Sequence, residues 1–333
     1  MDKKVSEIIQ KSLSGTKPTV EEIAYLFKFD TNSQEVYNIR WAANKLAREL
    51  SNNTAEVHAQ IGIDASACYK NCEFCSFAAV NKLRSEKLEM PLEEILQYAK
   101  GYEKAGANLI CLMITASYDF DKFIEVGREV RKVISSEMPL MANLDDFSYE
   151  QALKLKEVGF DGVYHVVHMG EGEITEIDPK TRIQTMENAL KAGLKLSSCV
   201  EPIGYEHADE YIAECMDKLL ERDLKSTGCG WRIPVPNSKF SKERFRTIGE
   251  WQKLTAIDRV AASDSITLLG NMGYTCDSGA NYAWAEVGTN PRDVAVKTEK
   301  SSAKVSYGVK ELQKTFMSFG WNILKGPSKG WRD

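Results

Sequence analysis

Three cysteines in one short run carry the clearest chemistry in this chain: Asp64-Ala-Ser-Ala-Cys68-Tyr-Lys-Asn-Cys72-Glu-Phe-Cys75. The spacing is C-x3-C-x2-C, and no fourth cysteine lies nearby. A structural zinc site wants four ligands, usually from two separated pairs. A thioredoxin-like site needs one C-x-x-C and leaves the third thiol without a use. Three thiolates on one loop suit a four-iron, four-sulfur cluster in which one iron keeps no protein ligand and can hold a small molecule. The bland alternative is a set of small buried hydrophobes. Lys70, Asn71 and Glu73, placed between the thiols, argue against it.

Such a loop needs a scaffold. The stretch His58-Ala-Gln-Ile-Gly-Ile-Asp64 alternates as a strand does, so the cysteines follow a first strand. Strand patterns recur at 58–63, 108–114, 139–144, 162–169, 195–202, 229–235, 265–269 and 281–287. Amphipathic helical stretches separate most of them, at 91–105, 120–136, 148–158, 181–192, 208–222 and 242–258. Gly106, Gly159 and Gly193 each stand between a helix and the next strand, as C-caps of αβ units do. Gly270 to Ala280 is too short and Gly-rich to assign a helix.

These units predict an α/β fold of the (β/α)8 barrel type, residues 56–295. A helical extension over 1–55 precedes it, with Thr19 and Ser33 as helix caps, and a C-terminal helical cap (helix from Tyr307 to Phe319) occupies 296–333. A doubly wound sheet is the runner-up, but no G-x-G-x-x-G follows the first strand. Barrel active sites lie at the C-terminal ends of the strands, where the cysteine loop falls.

Composition narrows the class. The 333 residues are 43% apolar with net charge −5, which disfavours a nucleic-acid surface. No apolar run reaches the roughly 18 residues of a membrane span, and Met1-Asp-Lys-Lys-Val-Ser-Glu holds no signal core. Eight cysteines in so large a Lys/Glu-rich chain are expected to be reduced, in a cytoplasmic protein.

Other strand ends supply further candidates. Cys111 lies on the second strand pattern, Cys199 on the fifth and Cys229 on the sixth, while Cys276 precedes the eighth. Four thiols near strands of one barrel could converge on a second cluster, with buried structural thiols as the alternative; Cys215, in a helix, reads as core. His165 and His168 on the fourth pattern read as interior hydrogen-bonding residues more often than ligands. Glu171 and Glu173 sit where a ribose-binding carboxylate would serve, and Arg182 could pair with a carboxylate.

From about residue 35 to 290 the chain resembles the biotin synthase group of the radical S-adenosylmethionine (SAM) enzymes, a group that includes methylornithine synthase and the [FeFe]-hydrogenase maturase. Phe74 matches the superfamily's cluster-shielding aromatic. Gly106-Ala-Asn-Leu-Ile-Cys111-Leu resembles a second-strand segment whose cysteine ligates an auxiliary, sulfur-donating cluster. Lys195-Leu-Ser-Ser-Cys199 resembles the corresponding fifth-strand segment, shifted by about two positions, and Ser278-Gly-Ala-Asn281 resembles Ala-Gly-Ala-Asn near the last strand. Three features depart. Met141-Ala-Asn143-Leu144 has no third-strand thiol, Ser265 to Leu269 lacks an arginine, and Tyr164-His-Val-Val-His168 replaces an asparagine-rich motif.

The resemblance implies a 4Fe–4S cluster on Cys68, Cys72 and Cys75 that binds SAM, with reductive cleavage to methionine and a 5′-deoxyadenosyl radical. Hydrogen abstraction from an unactivated C–H bond follows, under anaerobic conditions. Met113 to Ser117, Thr115 and Ser117 among them, would meet the methionine end, Ile233 and Pro234 the adenine, and Glu173 and Arg182 ribose or carboxylate. The leading expectation is sulfur insertion, dethiobiotin to biotin, from an auxiliary iron–sulfur cluster on Cys111 and Cys199, with Cys229 and Cys276 as spare ligands. The alternatives are a lipoyl-type thiolation, a carbon-skeleton rearrangement, synthesis of a metallocofactor precursor, or a non-catalytic iron–sulfur scaffold. Expected partners are a small-molecule substrate, a flavodoxin- or ferredoxin-type electron donor, a sulfur donor and a second copy of the chain, with neither nucleic acid nor membrane.

Overall fold

The computed structural model describes residues 1–84, 88–264, 266–271, 273–288 and 308–332. Alternating local patterns become alternating elements. The strands are β1 (Thr54–Gly62), β2 (Leu109–Met113), β3 (Leu140–Asn143), β4 (Gly162–Tyr164), β5 (Lys195–Ser197), β6 (Val200–Ile203), β7 (Leu224–Trp231), β8 (Leu268–Gly270), β9 (Tyr282–Val287) and β10 (Asn322–Ile323). The helices are α1 (Lys3–Leu13), α2 (Val20–Phe27), α3 (Gln34–Leu50), α4 (Leu92–Ala105), α5 (Phe120–Val133), α6 (Tyr149–Val158), α7 (Pro179–Lys191), α8 (Asp209–Leu220), α9 (Ile248–Ala261) and α10 (Val309–Ser318).

Parallel pairing runs β1-β2-β3-β4-β5-β7-β8-β9, and β9 returns to β1 from Glu56–Tyr282 to Ile61–Val287, closing an eight-strand barrel. Strand β6 continues the fifth strand after a break and pairs with β7. Strand β7 begins at Leu224, five residues earlier than the sequence pattern indicates, because Ser226 and Thr227 already pair with β8. The fourth pattern extends to residue 169, but β4 ends at Tyr164 and His165 to His168 form a loop. Position 265, in the seventh pattern, and residues 289–307, which include the expected boundary at 295/296 and Tyr307, lie outside the described residues.

Outward side chains Ile110, Leu112, Ala142, Val163 and Leu196 form one core with the inner faces of α4 to α7. Burying each large aliphatic side chain contributes about 1.5–3 kcal/mol. Ile8, Ile23, Leu26 and Ile39 of α1–α3 bury a second core against α8 and α9. Capping boxes at Thr19, Ser148 and Thr247 start α2, α6 and α9. Gly106 and Gly159 end α4 and α6 at φ +89° and +100°, a left-handed region that favours glycine.

The chain's end closes the barrel floor. Strand β10 adds to the edge of β1, and Asn108 donates to the carbonyls of Leu324 (3.0 Å) and Gly326 (2.6 Å). Trp331 then lies buried against Leu109, Cys111 and Met141. Gly162 makes room for it, since a Cβ there would sit 2.7 Å from the indole ring.

Candidate active site

Local hydrogen bonds shape the cysteine loop. The Cys68 amide donates to the Phe77 carbonyl (2.7 Å), that of Ala79 to Cys68 (3.0 Å), and that of Cys75 to Cys72 (2.9 Å). Asn71, at φ +50°, accepts from the Val80 amide (3.1 Å), and Asn81 donates to the Cys75 carbonyl (2.9 Å). Asp64 anchors the loop's start. Its carboxylate accepts from the Thr115 amide (2.7 Å) and hydroxyl (2.8 Å). Ser117 donates to the Ala67 carbonyl (2.9 Å). Thr115 and Ser117, expected to meet SAM directly, thus hold the loop's entry against the end of β2.

The donor set fits an iron–sulfur cluster. Burial, reinforced by the neighbouring Cys75 and by Glu171, pushes the Cys72 thiol far above its ordinary value. Burial takes Cys75 up to about 12, with Cys68 adding to the shift. Cys68 is also raised, chiefly by burial. Three half-buried thiols that raise one another's proton affinity become thiolates readily only around a cationic centre, as iron provides. The Phe77 amide lies 3.4 Å from Cys75 Sγ, the type of sulfur contact that tunes such clusters. Phe74 packs over the His168 ring with centroids 5.0 Å apart.

A charged network lies beside Cys72. Arg182 is buried and reaches Asp145 (3.2 Å), Asp146 (3.2 Å) and Glu171 (3.7 Å). Lys70, inside the cysteine loop, pairs with Asp145 at 3.1 Å. His165 faces Asp146 at 3.2 Å, and His168 faces Glu171 at 2.9 Å. Burial opposes the charge on Asp146, but the His165 hydrogen bond and Arg182 hold its carboxyl well below the usual range. Burial likewise acts on Glu171, and His168 and Arg182 outweigh it. Sequence reasoning does not single out Asp145 and Asp146; their position just past the β3 pattern is the available signal. Glu173 is exposed, and Glu171 is the carboxylate that meets Arg182. Ile233 is half-buried just beyond the end of β7.

The remaining thiols divide between the barrel's two faces. Cys111 is inside, beside Met141 and Trp331, and burial followed by Glu286 raises its thiol. Cys199 is inside as well; a Cβ on Gly228 would lie 3.3 Å from its sulfur. Cys229 points outward, its thiol 3.7 Å from the Leu254 carbonyl of α9. Cys276 packs outside among Ala47, Val57, Phe316 and Trp321. The expected convergence of all four is therefore not what the structure brings together: alternation along β7 turns Cys229 away, and Cys276 belongs to the outer layer. Among the described residues, no three His, Cys, Asp or Glu side chains form a site for a single metal ion, and no helix is long and apolar enough to cross a membrane.

A closed parallel barrel with a C-x3-C-x2-C loop after its first strand defines the class. Residues 63–222 match the family model of the radical SAM superfamily. The chain's relatives and structural neighbours support a resemblance to the biotin synthase-like group of that superfamily. It is 27% identical over 203 residues to biotin synthase of Clostridium tetani, covering 58% of this chain and 62%, under two thirds, of that enzyme. Biotin synthase of Acetivibrio thermocellus is 25% identical over 255 residues, 74% of this chain and 78% of the relative. The fold superposes on methylornithine synthase (PylB) with a TM-score of 0.79 at 15% identity, over 96% of this chain and 97% of that one. It superposes on HydG, a maturase of the [FeFe]-hydrogenase, with a TM-score of 0.78 at 17% identity, over 96% and 76%. A match to that family implies a 4Fe–4S cluster and SAM.

Proposed function

We propose that this chain is a radical SAM enzyme that removes hydrogen from a small molecule held inside the barrel and remodels its carbon skeleton without a second cluster. Cys68, Cys72 and Cys75 would hold the cluster, and the Arg182 network beside Cys72 would order the adjoining SAM site. Bound together, cluster and SAM supply the reductive cleavage that brings an unactivated C–H bond within reach. The chain's own work is to exclude water, orient the target carbon and keep the floor shut, for which Trp331 is placed. One observation carries the preference for a single cluster. Of the four candidate auxiliary thiols, Cys229 and Cys276 are packed outside the barrel wall.

A second reading, sulfur insertion of the biotin synthase kind, is favoured by the similarity to biotin synthases and by Cys111 and Cys199 both facing inward. Iron and sulfide analysis after anaerobic reconstitution separates the two. About four irons per chain supports the first reading, and about six to eight supports the second. Mass spectrometry of a reaction with dethiobiotin checks the outcome. A sulfur-containing product would overturn the first reading. Formation of 5′-deoxyadenosine under reducing conditions tests both against a non-catalytic scaffold, and its absence would sink them.

A further inference from the structure

Accessibility along the barrel strands is inverted. The outward residues Ala142, Val163, Val200, Ala285 and Val287 are buried, whereas the inward Asn143, Tyr164, Cys199, Glu201, Trp284 and Glu286 are only half-buried. The upper interior is therefore open to small molecules. Strand β7 contributes no inward side chain at Gly228 or Gly230 there. A Cβ at Gly230 would come within 3.0 Å of a Glu201 carboxylate oxygen.

The groups facing this space mainly accept hydrogen bonds. Glu201 receives one from the Tyr164 hydroxyl and has no ion-pair partner among the described residues. Gln60 donates to Glu286 (3.4 Å) and accepts from Asn143 (3.4 Å). One strand step below Gln60, His58 is fully buried, stacked on Tyr282 (centroids 4.5 Å apart) and edge-on to Trp284 (5.2 Å). Its Nε2 faces the Glu56 carboxylate at 2.9 Å, so Nε2 carries a proton. Its Nδ1 is buried without a partner, and in the neutral ring it is an acceptor. The nearby guanidinium groups are already engaged: Arg182 with Asp145, Asp146 and Glu171, and Arg232 with Glu206 and Glu243.

We propose that the substrate carries a protonated primary amine and that Glu201 is its counter-ion. The inference rests on the SAM-dependent reading above and names the substrate class. A carboxylate half-shielded from water, with a neutral tyrosine as its hydrogen-bond donor, gains a charge-assisted hydrogen bond from an ammonium group and would repel a carboxylate. The unpartnered His58 Nδ1 independently asks for a donor, and the half-buried Trp284 ring favours a cation.

The test uses anaerobically reconstituted enzyme saturated with SAM. Titration calorimetry compares hexan-1-amine, hexan-1-ol and hexanoate, which differ only at the head group. The amine should bind about tenfold to a hundredfold more tightly than the alcohol, with hexanoate weakest. Glu201→Gln should remove that preference, and Glu201→Lys should turn it toward hexanoate. Equal binding of the three by the unaltered enzyme, a preference for hexanoate, or an amine that displaces SAM would each overturn the proposal. The comparison on the unaltered enzyme stands even if neither variant folds. If the unaltered enzyme forms no 5′-deoxyadenosine from SAM, the underlying reading fails instead.

Discussion

Replacing Arg182 by glutamine exposes how the site's electrostatics are balanced. Its guanidinium lies 3.2 Å from Asp145 and Asp146 and 3.7 Å from Glu171, with side-chain exposures of 7% for Arg182, 12% for Asp146 and 1% for Glu171. At an effective dielectric near 20, each contact of that length carries about 5 kcal/mol of gross attraction, most of it offset by desolvation. Removing one partner of a buried cluster leaves the others uncompensated, typically at about 3–5 kcal/mol. The lower end applies here. Lys70 still neutralises Asp145, and His168 still meets Glu171. Arg182→Gln should therefore destabilise the cluster-free protein by about 3 kcal/mol at pH 7, measured by urea unfolding.

The pH dependence of that loss follows from the same contacts. Asp146 and Glu171 are held below their ordinary values in the folded protein. Their contribution is complete above the unfolded carboxylate value and is lost as pH falls toward the folded one. Without Arg182 the depression shrinks. The gap between the two proteins should therefore be widest at pH 7 and narrow at pH 3.5. A gap below about 1 kcal/mol at pH 7, the scale of an exposed pair, or an equal gap at both pH values would refute the reasoning.

Other residues give independent checks. Cys72→Ala should abolish both cluster assembly, seen as lost iron content, and SAM cleavage; cleavage at the normal rate would exclude Cys72 as a ligand. Trp331→Ala should cost about 3–5 kcal/mol through the void left on the barrel floor, read as a lowered urea midpoint. Burial pushes Asp258 up to about 6 from 3.8, so the folded protein holds a proton that the unfolded chain releases. Stability from this group is then fully present below pH 4 and declines by about 3 kcal/mol as pH rises through 6. Asp258→Asn should remove that decline, and parallel stability–pH curves for the two proteins would refute it.

Local signals are legible in the sequence. The cysteine loop announces itself because its ligands are close along the chain and need only backbone turns to form. Thr19, Ser33, Gly106 and Gly159 mark helix ends through hydrogen bonds and φ values set within a few residues. The βα rhythm reveals the barrel because burial imposes its period on each segment separately.

What depends on facing and closure is not legible there. A strand's pattern says that alternate residues share a side, but only register says which side is inner. The Gly228-Cys229-Gly230 stretch carries too little side-chain contrast to reveal its parity, and pairing with β8 turns Cys229 toward α9. The partnership of Arg182 with Asp145 and Asp146 spans more than 35 residues, and that of Trp331 with Gly162 spans well over 150. Contacts that far apart exist only once the barrel has closed, because closure sets the distance between strand ends that chain connectivity leaves free.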